Sequence, residues 1–202
     1  MAKEGYPFLL PLLLVAGLCF YSGTHWLAWC FLVLALFTGY FFRDPDRTVP
    51  SDAATIVSPA DGKIVAIATE TDANTRVSIF LSLFNVHINR APIAGEVESV
   101  HYVPGKFKVA FDAAASAENE QNVLVIRSGS DKIKFSQIAG ILARRIVCWK
   151  KPGDSVVKGE RIGLIRFGSR VDIFLPENVA LSIKLGDRVR GGASVIGRIE
   201  HG

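Results

Sequence analysis

The pattern of apolar and polar positions divides the chain into two unlike parts. From Gly5 to Phe42, 38 consecutive residues contain no Asp, Glu, Lys or Arg. A helix crosses the hydrocarbon core of a bilayer with about 20 apolar residues, so this run suits membrane segments and is too long for a core helix of a soluble domain. Tyr21-Ser22-Gly23-Thr24-His25 interrupts it with turn-forming residues, leaving Pro7 to Phe20 and Trp26 to Phe42 as two short helical segments. Tyr21, Trp26, Trp29 and Tyr40 lie near their ends, where amphipathic rings favour the membrane interface. The expected element is an apolar hairpin over residues 1–42, transmembrane or re-entrant. It puts Lys3 and the Arg43/Arg47 flank on one side, which the positive-inside preference makes cytoplasmic, and predicts a cell (inner) membrane protein with its remaining domain on the cytoplasmic side. A cleaved signal peptide would need a small-residue site after its apolar core, and Phe41-Phe42-Arg43-Asp44-Pro45 is not one.

From Thr55 onward the period changes. Short β-branched runs, among them Lys63-Ile64-Val65-Ala66-Ile67, Arg76-Val77-Ser78-Ile79-Phe80-Leu81, Asn122-Val123-Leu124-Val125-Ile126 and Lys132-Ile133-Lys134-Phe135, alternate with turn residues, and no long 3.6-residue period appears. The expected architecture of residues 43–202 is therefore mainly β, with Phe111 to Glu120, rich in Ala, Ser and Glu, as a loop or short helical turn. One repeat is visible: Lys151-Pro152-Gly153-Asp154-Ser155-Val156 recurs 33 residues later as Lys184-Leu185-Gly186-Asp187-Arg188-Val189, and Gly159 recurs as Gly192. This pattern resembles that of barrel-sandwich domains such as biotinyl and lipoyl carriers, which makes the domain barrel-sandwich-like. It speaks to fold and not to function, and no lysine sits in a carrier-type hairpin.

Charge and cysteine content narrow the classes. The 202-residue chain has net charge +4, and because Lys3 and Glu4 cancel, residues 43–202 carry all of it. That balance suits a surface facing anionic lipid and is too weak for nucleic acid binding. Cys19 and Cys30 lie in the apolar run and Cys148 stands alone, so neither a disulfide framework nor a zinc spacing is present.

Three stretches could carry chemistry, and each also has an ordinary reading. In Phe167-Gly168-Ser169-Arg170-Val171-Asp172, glycine and serine suit a tight bend between apolar runs. The same pair lets the Ser169 hydroxyl approach the Gly168 carbonyl, so that attack converts the amide to an ester and β-elimination then breaks the chain. In Ser58-Pro59-Ala60-Asp61-Gly62, Asp-Gly is a type I′ hairpin signal, while Asp61 could also orient a base. In Phe80 to Pro92, His87 sits among apolar residues as a hydrogen-bonded core side chain or as the one group poised to move protons near neutral pH.

Taken together, Ser-Pro-Ala-Asp-Gly, Phe-Leu-Ser-x-x-x-Val-His-x-Asn-Arg-x-Pro and Phe-Gly-Ser-Arg-Val-Asp, behind an apolar hairpin ending Tyr-Phe-Phe-Arg-Asp-Pro-Asp-Arg, closely resemble the short bacterial form of the phosphatidylserine decarboxylase family over nearly the whole chain. The resemblance implies a self-processing proenzyme cut between Gly168 and Ser169 into a β chain (1–168) and an α chain (169–202), with Ser169 converted to a pyruvoyl group. It implies decarboxylation of phosphatidylserine to phosphatidylethanolamine through a Schiff base with that group, without metal or pyridoxal phosphate. Asp61 matches the aspartate associated with self-cleavage and His87 a catalytic histidine, which Asp61 would hold in the right tautomer. Longer members carry a second histidine where this chain has Arg90. Arg43, Arg47, Arg144, Arg145, Arg166 and Arg170 are candidates for the lipid phosphate, with Arg170 and Arg166 nearest the reactive serine in sequence. The expected partners are phosphatidylserine in the bilayer and the two chains of one precursor, without nucleic acid, and a homo-oligomer is compatible. Two rival readings remain: a membrane-anchored barrel-sandwich adaptor that stays uncut, and the same chemistry on another serine lipid.

Overall fold

The computed structural model describes residues 1–70, 74–108, 115–140, 145–166 and 168–200. The chain divides into two compact units, Met1–Asp46 and Arg47–Gly202. Strand accounts for 41% of the chain and helix for 21%, and among the described residues all but one short helix lie in the first unit, so the mainly β expectation holds.

The first unit is a helical pair, α1 (Tyr6–Tyr21) and α2 (His25–Phe41), with a 3-10 turn at Lys3–Gly5. The break falls on the expected cluster, where the Ser22 and Thr24 hydroxyls both donate to the Cys19 carbonyl. Ala16, Ala28 and Ala35 are buried between helices whose Leu10, Leu14, Leu18 and Leu36 are exposed. Small residues at the contact and large apolar residues outside reverse the arrangement of a water-soluble bundle and suit a lipid surround. The 19 residues of Lys3–Tyr21 are long and apolar enough to cross a bilayer, while His25–Phe41 is shorter.

The second unit is built on an eight-stranded antiparallel sheet. Its strands include β2 (Gly62–Thr69), β3 (Thr75–Leu81), β5 (Gly95–Val103), β6 (Gln121–Ser128), β7 (Asp131–Ala139), β9 (Ser155–Val156), β11 (Ser169–Leu175) and β13 (Arg188–Val189). They stand in the order β13-β2-β3-β11-β7-β6-β5-β9. A three-stranded sheet of β4 (Ile88–Arg90), β10 (Arg161–Ile165) and β8 (Ile146–Cys148) and another of β1 (Thr55–Val57), β14 (Val195–Ile199) and β12 (Val179–Leu181) complete the unit. The core joins all three sheets through Ile79, Leu81, Phe135, Val171, Ile173, Ile162 and Ile196.

The sequence repeat forms the two outer edges of the large sheet. Asp154 accepts from the Lys151 N–H and Asp187 from the Lys184 N–H, each closing the same short turn. The following strands, β9 and β13, are the outermost in the order. Matching backbone bonds follow, Gly153 N–H to Val97 and Gly186 N–H to Ile64. Phe111 to Glu120 contains α3 (Ala115–Glu118), in keeping with a short helical turn, while residues 111–114 lie outside the described residues.

Candidate active site

The chain passes from the small sheet to the large one through the Gly168-Ser169 pair, between the end of β10 at Ile165 and the start of β11. Gly168 has φ of +59°, a left-handed conformation that a residue with a Cβ adopts only at a cost. Ser169 is the first residue of β11, paired with Leu81 on β3 and Ala139 on β7. It is 0% exposed, and its Oγ has no hydrogen-bond partner among the described residues. Burying a hydroxyl without a partner costs about 1–3 kcal/mol, so this group is held ready at the expense of stability.

The small sheet ties the backbone of His87 to the end of β10. Its backbone carbonyl accepts from the Ile165 N–H, four residues before Ser169, and its side chain is 2% exposed. Nδ1 lies 3.0 Å from the Asn85 carbonyl. A carbonyl only accepts, so Nδ1 carries the hydrogen, and the ring when neutral has its lone pair on Nε2. The loop that supplies Asn85 is itself fastened, because Asn85 Oδ1 accepts from both the Ser82 N–H and the Ser82 hydroxyl.

Asp61 enters from β2. Lys63 and Arg170 both pair with Phe80, so the start of β2 lies two inter-strand spacings, about 9–10 Å, from the start of β11. Its carboxylate accepts from Arg47 Nη2 at 2.8 and 3.0 Å and from the Gly191 N–H at 2.7 Å. Asp61 and His87 therefore stand at one end of the sheet, yet no hydrogen bond joins them among the described residues: Asn85, not Asp61, sets the histidine tautomer. The Asp-Gly pair is also not a hairpin. Gly62 opens β2, where a Cβ would stand 2.3 Å from the Phe80 carbonyl oxygen, so close strand approach selects glycine there.

The arginines divide. Arg170, expected at the lipid phosphate, is 2% exposed and points away from the face that carries Ser169. Its Nε donates to Asp172 at 2.8 Å and its Nη2 to the Ser78 hydroxyl at 2.6 Å, so its charge is compensated inside the protein. Arg90 is buried and donates to the Gly159 carbonyl beneath the repeat, a structural position rather than that of a second histidine. Arg47 is committed to Asp61. Arg166 is half-buried two residues before Gly168, Arg145 is exposed, and Arg144 lies outside the described residues.

Sequence reasoning missed three buried amides. Asn122 Nδ2 donates to Gln137 Oε1 at 3.0 Å, and Gln137 Nε2 donates to Asn89 Oδ1 at 2.8 Å. The signal was present in β7, where Ile133, Phe135, Gln137 and Ala139 alternate inward and one of the four is polar. A polar residue within an inward apolar series marks a specific buried partner.

A mainly β domain with a buried, unpartnered serine hydroxyl directly after a left-handed glycine has the groups that a self-cleaving protein needs. The comparisons name the family. The model of the phosphatidylserine decarboxylase family matches residues 34–197. A phosphatidylserine decarboxylase proenzyme of Desulfotalea psychrophila is 48% identical over 98% of this chain and 96% of the relative. Those of Chlorobium chlorochromatii (51% identical, 86% of this chain, 84% of the relative) and Ralstonia pickettii (42%, 99% and 96%) agree. The chain belongs to the phosphatidylserine decarboxylase family.

Proposed function

We propose that this chain is a membrane-bound proenzyme that cuts itself between Gly168 and Ser169 and then decarboxylates phosphatidylserine to phosphatidylethanolamine. The observation that carries this reading is the buried, unpartnered Ser169 hydroxyl directly after a left-handed glycine, in a chain of this family. The products are a β chain of residues 1–168 and an α chain of residues 169–202, with the β domain on the cytoplasmic side of the cell membrane.

Cleavage begins as Ser169 Oγ gives up its proton and bonds to the Gly168 carbonyl carbon, and the C–N bond then breaks to leave an ester and a free Ser169 amine. Removal of the Ser169 α-proton expels the Gly168 carboxylate from Cβ, giving dehydroalanine. Its imine tautomer takes up one water and releases ammonia, leaving the pyruvoyl end. A dry setting suits that group, since β11 begins in the core between Leu81 and Ala139. The pyruvoyl group supplies an electron sink for loss of CO2 from an amine-bearing substrate.

The other residues have separable tasks. His87 Nε2 moves a proton, accepting it in processing and returning it to carbon after decarboxylation. Asp61, held by Arg47 and Gly191, acts in self-cleavage from its own position and not as the orienting partner of His87. Arg166, half-buried two residues before Gly168, is the arginine we assign to the lipid phosphate.

The test is the intact mass of protein purified from membranes under denaturing conditions, beside a Ser169→Ala control. Two fragments divided at Gly168, the smaller without a free amino terminus and reactive to carbonyl reagents, are expected. An uncut chain in both samples overturns the reading and favours the adaptor. Diacyl phosphatidylserine and ether-linked serine lipids compared side by side then define the substrate.

A further inference from the structure

The three buried amides form a directed chain between the two sheets. Cys148 Sγ donates to the Lys150 carbonyl. Asn122 donates to Gln137, and Gln137 donates to Asn89. Because each amide accepts only through oxygen and donates only through nitrogen, this order leaves Asn89 Nδ2 at the far end. Asn89 is 0% exposed, and Nδ2 has no hydrogen-bond partner among the described residues.

Register places that nitrogen in the layer facing Ser169. Gln137 pairs with Val171, and Ala139 pairs with Ser169, so Gln137 shares the sheet face of Ser169, one pleat along β7. Asn89 reaches this face from β4. The facing layers thus hold two buried polar groups without partners, a hydroxyl that can attack and an N–H that can donate. When the Ser169 hydroxyl attacks, the Gly168 carbonyl oxygen takes on negative charge, and a donor fixed in a dry site stabilises such a charge without reorganising.

We propose that Asn89, held by Gln137 and Asn122, donates its Nδ2–H to the oxyanion formed on the Gly168 carbonyl during self-cleavage. The proposal rests on the self-cleaving reading above and adds the group that stabilises its first tetrahedral intermediate. The carbonyl π electrons move to oxygen as the C–O bond forms, and they return as the C–N bond breaks. Asn89 keeps its proton throughout.

The experiment follows precursor cleavage over time in full-length wild type, Asn89→Ala, Asn89→Asp and Gln137→Leu, with hydroxylamine added to cut any accumulated ester. Loss of one oxyanion donor slows the step about 10²–10³-fold, so both Asn89 variants should remain largely uncut and yield little hydroxylamine-sensitive ester. Gln137→Leu, which only frees the Asn89 side chain to turn, should lose less. Each change is repeated on a Ser169→Ala background and its denaturation midpoint compared, so that a folding defect is recognised. Asp preserves the volume and the acceptor for Gln137, and decides the matter where Ala does not fold. A folded Asn89 variant that cleaves within twofold of wild type overturns the proposal, as does one that accumulates ester normally. If wild type itself stays uncut, it is the self-cleaving reading that fails.

Discussion

Strand β11 has two buried faces, and both carry polar groups, but the groups on them are treated in opposite ways. On one face, Asp172 accepts from Arg170 at 2.8 Å and from the Ser116 hydroxyl at 2.5 Å, with Arg76 at 3.6 Å, while Arg170 also reaches Ser78. On the other, Ser169 Oγ and the facing Asn89 Nδ2 have no partner among the described residues. A satisfied buried network fixes structure, and breaking it leaves an uncompensated charge. An unsatisfied one costs stability without fixing anything, which is reasonable only if a reacting atom completes it. The satisfied face is thus the scaffold and the unsatisfied face the chemistry, although the residues alternate along a single strand.

The largest expected effect breaks the chemical face alone. Ser169→Ala should abolish cleavage and leave a single chain of 22.0 kDa, with a denaturation midpoint no lower than that of any other uncut variant, because the hydroxyl removed has no hydrogen bond to lose. A marked fall in the midpoint would mean that Ser169 also supports the fold. His87→Ala comes next. A positioned acid or base contributes about 10²–10⁴-fold, and the loss should appear in release of CO2 from phosphatidylserine by whatever fraction is cut. Decarboxylation within twofold of wild type per cleaved molecule would remove His87 from the chemistry.

Breaking the scaffold face should do the reverse. Asp172→Ala leaves the Arg170 guanidinium buried without its carboxylate, and removing one partner of such a pair costs about 3–5 kcal/mol. Measured by denaturant titration on the Ser169→Ala background, the midpoint should drop, whereas Arg170→Met with Asp172→Leu should recover most of it. Should the double variant be no more stable than the single one, the pair is not acting as a unit.

This contrast explains which parts of the molecule were legible in the sequence. The apolar hairpin, the change of period at Thr55 and the Gly-Asp repeat are local patterns, and local patterns survive folding. Ser169, His87 and Asp61 were found because short motifs carry them. Their relations were not legible. That Asp61 joins Arg47 and Gly191 instead of His87, and that Arg170 turns inward to Asp172, follow from contacts between residues far apart in the chain, such as Ser78 and Asp172, which pair across β3 and β11. No motif states which of two alternating residues has a partner across the sheet. The amide chain was hidden for the same reason, since Asn89 and Gln137 meet only when the small sheet packs on the large one.

The smallest effect sharpens the comparison from outside the strand. Ser116 reaches Asp172 from α3, and Glu118 at the end of α3 bonds Lys108 at 2.7 Å and Lys106 at 2.9 Å. These two ammonium groups, Lys108 foremost, bring the Glu118 carboxyl from its ordinary 4.5 to about 2. Its folded value lies below its unfolded value, so at falling pH the unfolded chain takes up the proton first. The stabilisation is complete above about pH 5 and disappears as the pH falls toward 2. The melting temperature of Ser169→Ala protein should therefore exceed that of its Glu118→Gln derivative by a small margin at pH 6, and the margin should close between pH 5 and 2. It should also shrink in 1 M salt, which screens exposed pairs. A margin constant from pH 6 to 2 would show that the ionised carboxylate does not hold α3 over Asp172. Because α3 meets β11 at Asp172, on the satisfied face, Glu118→Gln in the cleavable chain should leave the rate of cleavage at Gly168 unchanged; a slowed cut would mean that the two faces of β11 are coupled after all.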